Sequence, residues 1–170
     1  MPNLDAARRK LPKASRPHMP GYGISDAESG TGLLPWKWAE ERLKKSHNYW
    51  ISTTRPDGLP HVMLVWGLWL NDLFYFSTGR TSRKGRNLAR NPNCVVCSEV
   101  AEEAVIVEGA VEEVADPDVI EKFVEDYDRK YHWKVDPKMG PIFAVRPRVA
   151  FGFWEADFTG SATRWTFEAE

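Results

Sequence analysis

The chain has 170 residues, a formal net charge of −1, 42% hydrophobic and 28% charged residues. That length fits one domain with a core large enough to fold unaided and leaves little room for a second. The near-zero charge argues against a dedicated nucleic-acid binder, no apolar run reaches membrane-spanning length, and the first thirty residues lack the apolar stretch of a signal peptide. A cytoplasmic protein with neither a membrane nor a nucleic-acid partner is expected.

Residues 1–34 are rich in Pro, Gly, Ser and charge and show no periodicity, so they read as a mobile arm ahead of a folded domain over 35–170. From Pro35 the pattern turns helical, with Trp36, Ala39 and Leu43 on one face and Glu40 and Glu41 ahead of Lys44 and Lys45. Tyr49 to Thr54 is a β-rich run, and Arg55-Pro56-Asp57-Gly58 is the turn that closes it into a hairpin. The next stretch, His61 to Leu70, is apolar on both faces. A sheet with one wet side does not accommodate such a strand; it calls for the core on one face and a partner subunit or a bound aromatic ligand on the other. Asn71-Asp72 reads as a tight turn into a strand from Leu73 to Ser77, and further strands are expected over 93–99 and 104–114. Asp116-Pro117 opens a helix whose stripe carries Val119, Ile120, Phe123, Val124, Tyr127 and Tyr131. A loop at 137–141 and strands over 142–154, interrupted at Pro147, and 163–168 complete the chain. Six or seven mostly antiparallel strands with few helices predict a mainly β protein with some α, a small closed or split β-barrel flanked by short helices.

Cys94 and Cys97 have C-x-x-C spacing, but strand alternation sends them to opposite faces, so buried reduced thiols are expected rather than a redox or zinc pair. His47 and His132 have no companions at metal-ligand spacing, and no metal is expected. His61, at the start of a strand, reads as structural before it reads as a proton donor. Eight tryptophans point to a ring-binding cavity, an aromatic-rich subunit interface, or both.

One stretch breaks a local rule. Thr81 or Ser82 is a good helix N-cap and Asn91-Pro92 a good stop, so 81–92 reads as a short helix. Arg83, Lys84 and Arg86 then crowd a first turn whose unpaired N–H groups and macrodipole already favour negative charge. A phosphate accepted by those N–H groups, a Ser hydroxyl and the cations resolves the conflict. The plainer alternative is a solvated basic helix whose side chains diverge into water.

With that order of elements in place, Phe74 to Lys84 (F-Y-F-S-T-G-R-T-S-R-K) followed by Asn91-Pro92 resembles the phosphate-binding signature of the pyridoxamine 5′-phosphate oxidase-like split-barrel family, which includes flavin- and deazaflavin-dependent oxidoreductases. The resemblance runs from about Tyr49 to Trp165. It implies a homodimer holding FMN or coenzyme F-420 in a cleft between subunits and acting on a small-molecule substrate. Thr78, Ser82, Arg83 and Lys84 would hold the cofactor phosphate. Met63, Leu64, Val65 and Trp66 would lie under the ring system, mainly through their backbone. Arg164 is assigned to the cofactor or an anionic substrate, against an ion pair with Glu155 or Asp157. Two departures count against vitamin B6 oxidation. The family's oxidases place a Lys where this chain has Trp66-Gly67, and an R-x-H where it reads Arg164-Trp165-Thr166. The expected activity is therefore hydride transfer to or from a small unsaturated substrate, with a non-catalytic flavin or haem binder as the alternative.

Overall fold

A computed structural model of the chain describes residues 10–24 and 32–168. In chain order these residues form β1 (Lys13–Ser15), α1 (Trp36–Lys45), β2 (Tyr49–Thr54), β3 (Pro60–Val65), β4 (Leu68–Leu70) and β5 (Leu73–Ser77). There follow α2 (Arg83–Arg90), β6 (Asn93–Ser98), β7 (Glu103–Glu113), α3 (Pro117–Tyr131), β8 (Ile142–Trp154), a 3-10 turn at Glu155–Asp157, α4 (Phe158–Ser161) and β9 (Thr163–Thr166).

The sheet is antiparallel throughout and runs β1-β9-β8-β7-β6-β2-β3, with β5 added to β8 and β4 to β5. It does not close, which is the split-barrel arrangement. β8 is the spine. Ile142–Val145 pair with β5, Val149–Gly152 pair with β9, and β7 follows β8 along nearly its whole length. The register slips between Glu108, opposite Val149, and Gly109, opposite Pro147, a residue with no N–H to give; Arg148 is the extra residue of the resulting bulge, which bends the strand.

The core lies inside this curve. Buried Ile51, Phe74, Phe76, Val96, Val105, Val107 and Val145 come from alternate positions of their strands. α1 buries the face expected of it, and Trp36 packs edge-to-face on Trp69 and Trp165 at ring separations of 5.9 and 5.3 Å. α3 turns Phe123, Tyr127 and Tyr131 onto a second cluster with Leu68, Leu73 and Ile142.

The structure departs from the sequence reading in two places. Among the described residues nine strands form rather than six or seven, partly because the doubly apolar run breaks at Trp66-Gly67 into β3 and β4. The break needs glycine: a Cβ on Gly67 would overlap the Phe74 ring. The ninth strand is β1, inside the segment read as a mobile arm. It pairs Lys13 with Thr166 and Ser15 with Arg164, and Arg16 beside it is buried, donating to the carbonyls of Gly160 and Ala162 at 2.7 and 2.9 Å. Residues 10–24 are thus partly docked on the barrel, while 1–9 and 25–31 lie outside the described residues.

Candidate functional site

β5 hands the chain to a tight loop at its junction with the start of β8. Ser77 Oγ donates to the Pro141 carbonyl at 3.1 Å, and Thr78, buried, brings its Oγ1 to 3.0 Å from Ser82 Oγ. Ser82 is extended and caps α2, its Oγ accepting the Gly85 N–H at 3.0 Å. The loop folds onto the helix so closely that a Cβ on Gly85 would overlap the Gly79 carbonyl oxygen. Leu88 sinks into the core below, and Asn87, 1% exposed, donates from Nδ2 to Thr53 Oγ1 of β2 at 3.0 Å. These contacts fix the helix axis. The N–H groups of Arg83 and Lys84, in the first turn, have no intrahelical acceptor.

The charges at this end of α2 are one-sided. Its first turn holds no acidic residue. Arg80, one residue before the cap region, is held by both oxygens of Glu113 at 2.9 and 2.6 Å and so is drawn aside. Among the described residues, Arg83, Lys84 and Arg86 make no hydrogen bond or ion pair through their side chains. Lys84 is half-buried, and that burial pushes its pKa below the ordinary lysine value. A charged group held against a desolvation cost, next to free N–H groups and two hydroxyls, is complementary to a phosphate.

The strand expected beneath a ring system lies at the edge of the sheet. β3 pairs with β2 alone, so its other side presents unpaired backbone groups. Met63 and Leu64 are each 46% exposed, as is Trp50 opposite Leu64, whereas Val65 points into the core. Trp66 is occupied within its own chain: its ring stacks on Tyr131 at 4.7 Å and its Nε1 donates to Asn48 Oδ1 at 3.1 Å. The residue is still 38% exposed. The register extends this exposed surface into a cross-strand row of Leu64, Trp50, Cys97, Ile106, Phe151 and Arg164 on the outer face of the sheet.

Arg164 stands apart from the phosphate cradle. It pairs with Phe151 of β8, whereas Ser77, just before Thr78, pairs with Ile142. Nine residues of β8 separate those partners (151 − 142), about 30 Å of strand. Its Nη1 donates to Thr166 Oγ1 at 2.9 Å, and the ion pair with Glu155 or Asp157 is not formed. Thr78, Ser82, Arg83 and Lys84 therefore lie together within the chain, with β2 linking them to β3, while Arg164 does not join them.

The sequence reading missed a clamp on the chain just beyond Trp66. Tyr131 Oη accepts the Gly67 N–H at 3.0 Å and lies 2.8 Å from the Gly67 carbonyl oxygen, while Lys130 Nζ donates to that carbonyl at 3.1 Å and to Tyr49 Oη at 2.9 Å. No carboxylate pairs with Lys130, and burial pushes its pKa down to about 8. The folded state thus binds this proton less readily than the unfolded chain does, whose lysine titrates near 10.5. The cost is present in full below pH 8 and fades as pH rises toward 10.5, so this residue makes stability climb with pH in that window. The difference in melting temperature between wild type and Lys130→Met, measured from pH 7 to 10, is expected to narrow or move in favour of wild type as pH rises; a difference independent of pH would contradict this.

The remaining candidates are structural. Cys94 is buried, with its thiol pKa pushed up to about 12, and burial raises that of Cys97 on the opposite face. His47 packs on Tyr131 and Trp66, and His132 is the left-handed cap of α3. Among the described residues, no group of three or more His, Cys, Asp or Glu is placed to hold a metal, and no helix is long and apolar enough to cross a membrane.

Comparison with known proteins gives the same fold. No curated protein matches the chain. An F420 reductase is similar in structure, with a TM-score of 0.56 and 25% identity over 65% of this chain and 94% of that one. General stress protein 26 from Bacillus anthracis matches with a TM-score of 0.58 and 20% identity over 68% of this chain and 91% of its own. A heme binding protein from Mycobacterium smegmatis matches with a TM-score of 0.55 and 17% identity over 70% of this chain and 54% of its own. The family model for pyridoxamine 5′-phosphate oxidase covers residues 36–160, well over half the chain, from α1 into α4, with β1 and β9 outside it. The chain belongs to the pyridoxamine 5′-phosphate oxidase family.

Proposed function

We propose that the protein is an oxidoreductase that holds FMN or coenzyme F-420 in a cleft between two copies of itself and passes hydride to or from a small unsaturated substrate. The observation that carries this reading is the pair of unpaired cations, Arg83 and Lys84, at the capped N-terminus of α2. Both cofactors bring a phosphate and a flat ring system. Thr78, Ser82, Arg83 and Lys84 hold the phosphate, and the backbone of Met63, Leu64, Val65 and Trp66 carries the ring along the open edge of β3. The bound cofactor supplies the hydride chemistry, and this chain's residues bind, orient and exclude water. Similarity to an F420 reductase supports the deazaflavin in particular.

The second copy is proposed from the outer face. Trp50, Val62 and Leu64 form an exposed apolar patch on the outer face of β2 and β3, of the kind that marks an interaction surface. Packing that face against its own copy covers the patch and lets Arg164 serve the site of the neighbouring protomer. Leu64→Glu is expected to give monomers by light scattering where wild type gives dimers; a dimeric variant would show that the interface lies elsewhere.

Spectroscopy tests the function. Flavin absorbance in the purified protein supports FMN, and a change in F-420 fluorescence on titration supports the deazaflavin. Binding of neither refutes the proposal. Oxidation of the reduced cofactor by a panel of conjugated alkenes is the result expected of an enzyme. Tight binding without turnover would favour the carrier reading, toward which the likeness to a heme binding protein leans.

A further inference from the structure

We propose that Lys130 is a further cation for the cofactor, set at the ring end of its site, where its ammonium stabilises negative charge on the ring system. The inference rests on the reading above that the backbone of Met63 to Trp66 carries the ring. Gly67 follows Trp66 directly, and the last turn of α3 grips it: Lys130 Nζ donates to its carbonyl at 3.1 Å, and Tyr131 Oη accepts its N–H at 3.0 Å. Trp66 is held by the same turn, its ring stacked on Tyr131. Lys130 also donates to Tyr49 Oη at 2.9 Å. Tyr49 and Thr53 both point to the buried face of β2, and Thr53 is the residue that α2 reaches through Asn87. Four residues of strand separate them (53 − 49), about 13 Å. The ammonium and α2 thus stand on one side of the hairpin of β2 and β3, toward its opposite ends.

The surroundings of Lys130 do not match its charge. Its hydrogen-bond partners are a carbonyl and a phenol, and the Tyr49 and Tyr131 rings lie 4.8 and 5.1 Å from Nζ, all formally neutral groups. Burial makes Tyr49, Tyr127 and Tyr131 hold their protons more tightly than free tyrosine, so none of them supplies an anion, and His47, packed on Trp66 and Tyr131, can add only positive charge. Glu99 is the acid whose field reaches Lys130, but its carboxylate is spent on the N–H groups of His47 and Asn48 and on Asn48 Nδ2. An ammonium held this way bears a desolvation cost that a methionine of similar size would not. A neutral ring that takes up hydride, two electrons and one proton, becomes an anion, and so does a ring whose hydroxyl ionises. A cation beside the ring stabilises that charge and does little for the neutral ring, so it acts on the difference between the two states.

Two spectroscopic titrations of the full chain read that difference, one for each cofactor. For FMN, dissociation constants are measured at pH 7 for the oxidised form and, without oxygen, for the reduced form. Their ratio, oxidised over reduced, is expected to fall at least about tenfold in Lys130→Met, the order expected of one unit charge acting through a partly buried site. For F-420, the absorbance of the bound cofactor follows ionisation of its ring hydroxyl, which is expected at a pH about one unit lower in wild type than in Lys130→Met. Lys130→Arg keeps the charge and is expected to keep most of either effect. Lys84→Ala is the contrast: the phosphate is the same in both states of the ring, so affinity falls for both and the ratio holds. Each variant's melting curve establishes that it is folded. A cofactor that binds with its ratio or its ionisation unchanged in folded Lys130→Met, or changed as much by Lys130→Arg, would overturn the inference and leave the proposed function standing. Binding of neither cofactor by wild type would remove both.

Discussion

Replacing Arg83 and Lys84 together by Ala is expected to weaken cofactor binding by about one hundred- to ten thousand-fold while leaving the protein as stable as before or slightly more so. Each residue contributes a charge-assisted contact of about 1.5–3 kcal/mol to a bound phosphate, so losing both removes about 3–6 kcal/mol. Without a ligand the same side chains are unfavourable, because they add positive charge to the positive end of α2 with no acidic residue in its first turn. Lys84 also bears a desolvation cost, seen in its lowered pKa. Opposite signs for binding and stability are the signature of residues kept for a ligand. Calorimetric titration and thermal unfolding of the double variant measure both. A variant that melts lower while binding as before would assign the pair to the fold instead.

Gly85→Ala is expected to have the second large effect, a loss of stability of about 1–3 kcal/mol together with weaker cofactor binding. In an open helix the same change would add up to about 1 kcal/mol of stability. Here the new methyl would overlap the Gly79 carbonyl and approach Arg80 O and Ser82 Oγ at 3.0 and 3.1 Å, and all three belong to the loop that shapes the cradle. Relief of the overlap moves Ser82, and with it the hydroxyl shared with Thr78. Gly79→Ala is the control. A Cβ there meets nothing within 4 Å, so stability is expected to change by less than about 0.5 kcal/mol. Equal effects from the two substitutions would mean that the loop and helix are not in close contact.

The short helix, its Ser82 cap and its unbalanced charge were legible because each depends on neighbours in sequence: the capping residue, the missing acid and the Asn-Pro stop all lie within a dozen residues. Strands β2, β5, β6 and β7 were legible for the same reason, their alternation being local. What escaped depends on distant pairing. β1 is three residues long and has no apolar pattern of its own; it forms because β9 offers a free edge some 150 residues later. The break at Gly67 is hidden inside an apolar run, since the ring that forbids a Cβ belongs to Phe74 on another strand. Lys130 reads as one more solvated lysine on an amphipathic helix, and only packing turns it onto Tyr49 and Gly67. Arg164 was assigned to the cofactor or an anionic substrate by resemblance, and its distance along β8 from the Thr78 loop follows from strand register, which no local pattern reveals.

The N-terminus of α2 is proposed to bind a phosphate belonging to a flavin or deazaflavin. Comparing each cofactor with its dephosphorylated form, FMN with riboflavin and F-420 with its phosphate-free chromophore, isolates that phosphate while leaving the ring unchanged. A preference of at least about one hundredfold for the phosphorylated form of one pair, abolished in the Arg83/Lys84 double variant, is the expected result. Equal affinity for both members of each pair, or a preference that survives the double substitution, would contradict it.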